Sequence, residues 1–120
     1  MHNIVSLDFI KLPIPAKIVL YRYVILKISK NKSFHTHETT LSSLILFTDV
    51  LEMAYLCSLN GSTAEQEVLY LREKVADELF LTMANHVNNI ANGNESIIFS
   101  SGFHSAKDHE YDVSSMVTTL

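Results

Sequence analysis

Cysteine, glycine and proline are scarce in this sequence. Its 120 residues include one Cys, three Gly and two Pro. A single Cys excludes an internal disulfide and an all-cysteine metal site. With so little Gly and Pro, the chain lacks the turns that a sandwich or barrel needs every ~8 to 12 residues. The scarcity therefore favours a few long helices.

Charged residues are also few, at 18% of the chain against 48% hydrophobic residues. This balance predicts a folded chain rather than a disordered one, and the length suits a single domain. We expect residues 1–107 to form the domain. The segment 108–120 has no clear periodicity, and we expect it to be a flexible tail.

Apolar spacing and helix-ending residues predict three long helices and one short C-terminal helix. Their expected bounds are 16–30, 40–59, 63–91 and 95–101. The connections at Asn60-Gly61 and Asn92-Gly93 are short, which makes neighbouring helices antiparallel. The predicted fold is therefore an all-α, antiparallel up-and-down bundle.

The first of these helices has a competing interpretation. The stretch from Ile18 to Leu26 is rich in branched and aromatic residues, which suit a strand as well as a helix. Pro15 fits a first helical turn, and the polar residues Lys17, Arg22 and Lys27 do not alternate as they would in a strand. We therefore predict a helix, whose apolar part is too short to span a bilayer and is expected to be core.

Helical spacing also predicts which faces of the long helices are buried. In the second helix the expected core positions are Leu41, Leu44, Phe47, Val50, Leu51, Ala54 and Tyr55, with Asp49 and Glu52 on the other face. In the third helix they are Val68, Leu71, Val75, Leu79, Met83, Val87 and Ile90.

Residues typical of helix caps surround the predicted boundaries. Ser62 and Glu65 match a capping box, and Gly61 before them is expected in the left-handed conformation. Asn94 can cap the short helix. After that helix, Gly102 is expected as the left-handed residue of a Schellman motif, which would pack Phe103 back against Ile98.

The order of these features resembles an uncharacterised family of small bacterial helical-bundle domains. The residues that carry the resemblance are Lys30-Asn31, Phe34 and the A-N-G-N-x-x-I-I-x-S-S-G-F stretch at 91–103, within a span of roughly 13–107. Members of that family often precede a fibronectin type III-like module. The resemblance implies a bundle without enzyme activity or catalytic residues. The His35-Thr36-His37 connection departs from the simpler polar loop expected there.

The loop before the second helix holds the most ligand-like cluster, His35, His37 and Glu38. Alternating histidines on an extended segment can point the same way and bind a metal. His104, His109 and Glu110 could supply further ligands. Two His and one Glu do not complete a site by themselves, so we expect solvated loop histidines and predict no metal and no cofactor.

Other chemically active side chains do not form a catalytic pattern. Cys57 lies near a helix C-terminus, where a thiolate is disfavoured, and we expect a buried structural thiol. We expect His86 to be hydrogen-bonded or solvated. Asp77 and Glu78 are adjacent on a helix, so their carboxylates do not converge and are expected on a solvated face. We therefore predict no catalytic residues.

Charge is unevenly distributed along the chain. Six Lys and Arg residues precede Glu38 against the single acid Asp8, whereas twelve acids and three basic residues follow. A basic helix beside acidic ones in a bundle explains this more simply than nucleic-acid binding, which a pI of 5.8 does not favour. Residues 1–10 show no signal-peptide pattern, so we expect a cytoplasmic protein without a membrane span.

Three functional hypotheses follow from these observations. The first is a non-enzymatic structural or protein-interaction module that self-associates, since a long third helix leaves apolar surface uncovered. The second is a metal- or ligand-binding bundle that uses the His35 and His37 loop. The third is a binder of anionic surfaces through Lys17, Lys27, Lys30 and Lys32.

Overall fold

The computed structural model describes residues 4–34, 36, 38–106, 111, 113 and 116. Its helices are α1 (Ile14–Lys30), α2 (Glu38–Ser58), α3 (Thr63–Ala91) and α4 (Glu95–Ser100), and 3₁₀ turns occupy Asp8–Lys11 and Lys32–Phe34. The described residues include no β-strand, and Val5 and Ser105 form an isolated β-bridge. The all-α prediction is confirmed, and the ambiguous first segment is a helix.

The helices α2 and α3 form an antiparallel hairpin. At its tip the Gln66 side chain donates a hydrogen bond to the Ser58 carbonyl oxygen, and towards the opposite end of the hairpin Leu44 and Met83 line one cavity. The helix α1 packs mainly on α2, and α4 packs on α3. This arrangement is compatible with the predicted up-and-down bundle.

The start of α3 has the predicted capping box. The Ser62 hydroxyl accepts from the Glu65 backbone N–H at 3.4 Å, and the Glu65 carboxylate accepts from the Ser62 N–H at 3.1 Å. The Asn94 side chain likewise caps α4 by accepting from the Ile97 N–H. These short-range predictions succeed because each cap is formed by residues three apart in the sequence.

The prediction for Gly61 is wrong. Of the glycines, Gly93 and Gly102 have positive φ, and the left-handed residue that ends α3 is Asn92, at φ 46°. Gly61 is instead required by a close approach, because a Cβ there would lie 2.8 Å from the Cys57 carbonyl oxygen. The tight packing of the hairpin tip, rather than its dihedral angles, selects glycine.

The end of α4 contains the predicted left-handed Gly102, with a modified Schellman pattern. The Gly102 N–H donates to the Phe99 carbonyl oxygen at 3.1 Å. The second bond is replaced by the Ser101 hydroxyl, which donates to the Ile98 carbonyl oxygen and accepts from the Phe103 N–H. Phe103 is fully buried, and its ring centre lies 5.4 Å from that of Phe9.

The core is centred on α1. The apolar part of α1 is buried, as predicted, and the Tyr21 ring stacks on Phe80 of α3 with ring centres 3.8 Å apart. Phe9 of the first 3₁₀ turn closes this cluster by contacting Tyr21 edge-on at 5.9 Å. Aromatic stacking therefore joins the N-terminal turn, α1 and α3.

The predicted core face of α3 is correct only in its second half. Met83 and Val87 are buried, but Val68, Leu71 and Val75 are exposed. The residues buried instead, together with Met83 and Val87, are Leu69, Ala76, Phe80, Ala84 and Ala91. Each four-residue step advances ~40° around a helix, so Leu71 and Val87 lie about 160° apart and cannot share one face.

In α2 the prediction holds more closely. Leu44, Leu51 and Ala54 are buried, and the four remaining predicted positions are half-buried. Thr48 is also fully buried, and its hydroxyl donates to the Leu44 carbonyl oxygen. This bond inside the helix satisfies a polar group that apolar spacing could not assign to the core.

The N-terminal segment and parts of the predicted tail pack together on the bundle. The Val5 N–H donates to the Asn88 side-chain oxygen at 2.7 Å. Tyr111 is buried and its hydroxyl donates to the Ser6 carbonyl oxygen at 2.6 Å, and Met116 is buried too. In the segment 108–120 the structure describes residues 111, 113 and 116, so the rest of the tail prediction lies outside the described residues.

The helix α2 is long and apolar enough, by length and composition alone, to cross a bilayer. Only 22% of its most apolar 18-residue window is buried. The most apolar stretch of the sequence lies in α1, so apolar runs alone do not single out α2.

Candidate functional site

Val68, Leu71 and Val75 form an exposed apolar row on α3, here called the α3 stripe. Their residues are 44%, 58% and 37% exposed. They recur at three- and four-residue spacing and so share one side of the helix. Leu79, four residues further on, lines a cavity, so the stripe leads directly into that cavity.

Two charged residues of opposite sign lie beside the α3 stripe, one before and one after its central residue Leu71. Glu67 lies four residues before Leu71, and Lys74 lies three residues after it. Because they are seven residues apart, these two side chains lie on the same side of α3. Neither forms an ion pair with another described residue. The stripe therefore carries opposite charges on either side of its centre.

The outer side of α2 is apolar as well. Its most exposed large apolar residues are Ile45, Leu46, Met53 and Leu56. Cys57 is also exposed, so the prediction of a buried thiol is wrong. The helix ends one residue later, and its last turn lies at the hairpin tip. Proximity to a helix end did not indicate burial here.

A cavity of about 420 Å³ lies between the first half of α2 and the middle of α3. It is partly open to solvent. Three apolar residues and five residues with hydroxyl or imidazole groups line it, namely Leu44, Leu79, Met83, Thr36, Thr40, Ser43, Thr82 and His86. No Asp, Glu, Lys or Arg is among them, so the described lining is uncharged.

Two of the five polar side chains in the lining, Thr36 and His86, have hydrogen-bonding states that the structure specifies. The Thr36 hydroxyl oxygen is buried and has no hydrogen-bond partner among the described residues. His86 Nε2 donates to the Phe34 carbonyl oxygen at 2.8 Å. Since a carbonyl can only accept, Nε2 carries the hydrogen, and in the neutral ring Nδ1 is an acceptor. Of the two expectations for His86, hydrogen-bonded or solvated, the structure shows the first.

The predicted metal-ligand cluster is only partly visible. His35, His37, His109 and Glu110 lie outside the described residues. Glu38 is the exposed first residue of α2. His104 lies far along the chain, with its ring stacked on Tyr111 at 4.4 Å between ring centres. The part of the chain that the structure describes contains no group of three His, Cys, Asp or Glu side chains able to hold a metal.

The bundle also contains a buried charged cluster that the sequence analysis missed. Lys17 is 1% exposed, and its Nζ lies 2.7 Å from Glu73 Oε2 and 3.0 Å from Asp77 Oδ2. The Tyr21 hydroxyl donates to Asp77 Oδ1 at 2.6 Å. The prediction that Asp77 is on a solvated face is therefore wrong, whereas Glu78 is exposed as expected.

Burial sets the protonation behaviour of this cluster. It raises the pKa of Asp77, although the hydrogen bonds from Tyr21 and Lys17 act to lower it. Burial, together with the bond to Asp77, raises the pKa of Tyr21 far above its usual range. Tyr21 therefore stays neutral and acts as a hydrogen-bond donor, and the cluster holds α1 against α3.

A second set of ion pairs joins α1 to α2. Arg22 donates to Asp49 at 2.9 Å and to Glu52 at 2.7 Å. Burial lowers the pKa of Arg22, but the hydrogen bonds to Asp49 and Glu52 and the negative charges of these two residues together outweigh it, so that the net pKa is raised. Asp49 and Glu52 thus face the side of α2 next to α1.

These contacts reduce the basic surface predicted for the N-terminal part of the chain. Lys17 is paired inside the bundle, Arg22 is paired with acids of α2 at the surface, and the Lys27 ammonium lies 5.3 Å from the centre of the Tyr23 ring. Lys30 and Lys32 are exposed. The basic first helix beside acidic helices, rather than a broad anion-binding face, accounts for most of the charge asymmetry.

Comparisons with known proteins give no further assignment. No protein-family model, no curated protein and no solved structure matches this chain. The resemblance to a family of bacterial helical bundles remains a prediction.

Proposed function

We propose that this protein is a non-enzymatic helical interaction module that pairs with a second copy of itself through the α3 stripe. The observation that carries the proposal is the exposure of Val68, Leu71 and Val75 on a helix whose opposite side is buried. A regularly spaced apolar row normally faces a packing partner, and exposed apolar patches mark contact sites.

The residue order around Leu71 favours a second copy as that partner. In an antiparallel pair of α3 helices with a twofold axis near Leu71, Val68 of each copy lies opposite Val75 of the other, and Leu71 lies near Leu71. The same axis brings Glu67 opposite Lys74 of the other copy. Apolar residues thus meet apolar residues, and each charge meets its opposite.

The chain offers a matched test of this interface. Leu71 on α3 and Leu56 on α2 are exposed to nearly the same extent, 58% and 56%, and only Leu71 belongs to the α3 stripe. Leu71→Lys places two ammonium groups at the centre of the proposed interface, whereas Leu56→Lys places them elsewhere. Sedimentation equilibrium at about 10 to 200 μM protein measures the molar mass of each variant.

We expect the parent protein and Leu56→Lys to be dimers at the upper concentrations and Leu71→Lys to be a monomer. Circular dichroism of Leu71→Lys checks that it remains helical. A monomeric parent would contradict the proposal, and so would a dimer that Leu56→Lys disrupts and Leu71→Lys does not. If the monomeric parent bound to phosphatidylcholine vesicles, the exposed apolar surface would be a membrane contact instead.

A further inference from the structure

We propose that the cavity between α2 and α3 binds a neutral small molecule with an apolar body and one hydroxyl or carbonyl group. At about 420 Å³ the cavity is within the ~300 to 1,000 Å³ range of ligand pockets. It is lined by Leu44, Leu79 and Met83 together with hydroxyl groups, so it offers an apolar surface and hydrogen bonds to the same ligand.

The Thr36 hydroxyl indicates where the polar group of the ligand binds. Its oxygen is buried and bonds to no other described residue, a condition that costs free energy unless something satisfies it. A hydroxyl both donates and accepts, so it can bond either a ligand carbonyl or a ligand hydroxyl. This unsatisfied group is an observation independent of the cavity volume.

His86 limits the ligand further. Its Nε2 is held by the Phe34 carbonyl, so the neutral ring presents only the acceptor Nδ1. A ligand hydroxyl could therefore donate to Nδ1 while it accepts from Thr36.

The lining also selects against a charged ligand. It contains no Lys or Arg to pair with an anion and no Asp or Glu to pair with a cation. An ionised group would lose hydration there without a compensating partner. We therefore expect discrimination between ligands that have the same chain and differ only in the charge of the head group.

The test uses 1-octanol and octanoate as that ligand pair. Amide chemical shifts of the full chain, followed by NMR during titration, report binding at each residue. We expect 1-octanol to shift the amides of cavity residues, with a dissociation constant on the order of 1 mM for so small a ligand. Octanoate is expected to bind at least fivefold more weakly. Equal binding of the two compounds would overturn the proposed selectivity.

Two matched pairs of variants locate the site. Thr36→Val removes the unsatisfied hydroxyl, and Thr39→Val makes the same change at an exposed position outside the cavity. We expect Thr36→Val to weaken 1-octanol binding at least threefold and Thr39→Val to leave it unchanged. In the same way, Ser43→Trp should block the cavity, and Ser42→Trp, at an exposed neighbour, should not.

The proposal is wrong if 1-octanol shifts no cavity amides in the parent protein, or if both members of each variant pair bind equally. Shifts confined to the α3 stripe would likewise contradict it. The titration is repeated with Leu71→Lys, which carries no change in the cavity. Binding by that variant supports the cavity independently of whether two copies pair.

Discussion

The two ends of α3 differ in what covers them. Near its C-terminus, Phe80 and Val87 are buried, and Phe80 stacks on Tyr21 of α1. Near its N-terminus, Leu71 and Val75 are exposed although they are equally apolar and similarly spaced. Apolar periodicity therefore identifies which side of a helix packs against a partner. It does not identify whether that partner lies within the chain.

The difference follows from helix length. The 29 residues of α3 span ~44 Å, whereas the 17 residues of α1 span ~26 Å. The helix α4 adds six residues at the C-terminal end of α3 only. The C-terminal end of α3, here called the closed end, can thus be stabilised by contacts within its own chain. The N-terminal end, here called the open end, keeps apolar residues exposed that can contact another molecule.

The largest expected contrast between the two ends is between Phe103→Ala and Leu71→Ala. Phe103 is fully buried at the closed end, and removing its ring should destabilise the fold by ~3 kcal/mol because a cavity remains. Leu71→Ala should change the stability of the monomer by less than ~0.5 kcal/mol. Urea midpoints at low micromolar protein compare the two. Equal losses would show that the stripe is already covered within one chain.

The next largest effect is expected for Lys17→Met. This change leaves the Asp77 and Glu73 carboxylates without their buried cation. It should lower the free energy of unfolding by about 2 kcal/mol at pH 7. Lys30→Met is the control, since Lys30 is an exposed lysine on the same helix. The urea midpoints of both variants are compared. If Lys17→Met lost no more stability than Lys30→Met, a structural role for the cluster would be contradicted.

The same variant has a predictable pH dependence. The folded-state pKa of Asp77 is raised, so protonation of Asp77 favours the folded state. The stability that protonated Asp77 provides is present below the unfolded-state pKa and is lost as pH rises through the folded-state pKa. Without Lys17 that folded pKa rises further. The stability deficit of Lys17→Met relative to the parent should therefore shrink from pH 7 towards about pH 4. A deficit that grows on acidification would contradict this account.

A smaller effect is expected at Gly102, where two constraints act together. Its φ is +92°, and a Cβ would lie 3.1 Å from both the Tyr23 ring and the Val24 Cα. Gly102→Ala should cost ~1 kcal/mol and Gly102→Val more, because branching adds to the clash with α1. Lys107→Ala, in a part of the chain that the structure leaves undescribed, is expected to be near zero. Urea midpoints rank the three variants, and an unchanged midpoint for Gly102→Val would contradict the close approach of Gly102 to α1.

The smallest effect is expected for the double variant His35→Ala and His37→Ala. If these loop histidines bind no metal, the melting temperature should not change, with or without added zinc. A zinc-dependent rise in the parent melting temperature that the double variant loses would instead support the metal-binding hypothesis.

Local chemistry was the most predictable part of the fold. The bounds of α3 and its capping box followed from Ser62, Glu65 and the Asn92-Gly93 stop, since each depends on residues close in sequence. The Lys17 to Asp77 pair did not follow, because it joins residues 60 positions apart. One available signal was the placement of Lys17 and Tyr21 four residues apart on an otherwise apolar helix, which orients both towards one neighbour.

The candidate sites were less predictable than the helices. Apolar spacing predicts a core position for the residues of the α3 stripe, because repeated four-residue steps resemble a single helix face although they rotate around the helix. The cavity lining comes from α2, α3 and the loop between α1 and α2, so no single segment carries its pattern. Both sites depend on how helices pack, which local sequence does not specify.

Charge reversal at Glu67 and Lys74 tests the antiparallel pairing of two copies most directly. In the proposed dimer each Glu67 faces Lys74 of the other copy, so Glu67→Lys or Lys74→Glu alone creates like-charge contacts twice. Sedimentation equilibrium should show that each single variant dissociates about 5- to 30-fold more readily, as ~1 to 2 kcal/mol of surface electrostatics implies. The double variant Glu67→Lys with Lys74→Glu should recover the parent's dissociation constant. A double variant as weak as the singles, or singles as tight as the parent, would contradict the pairing.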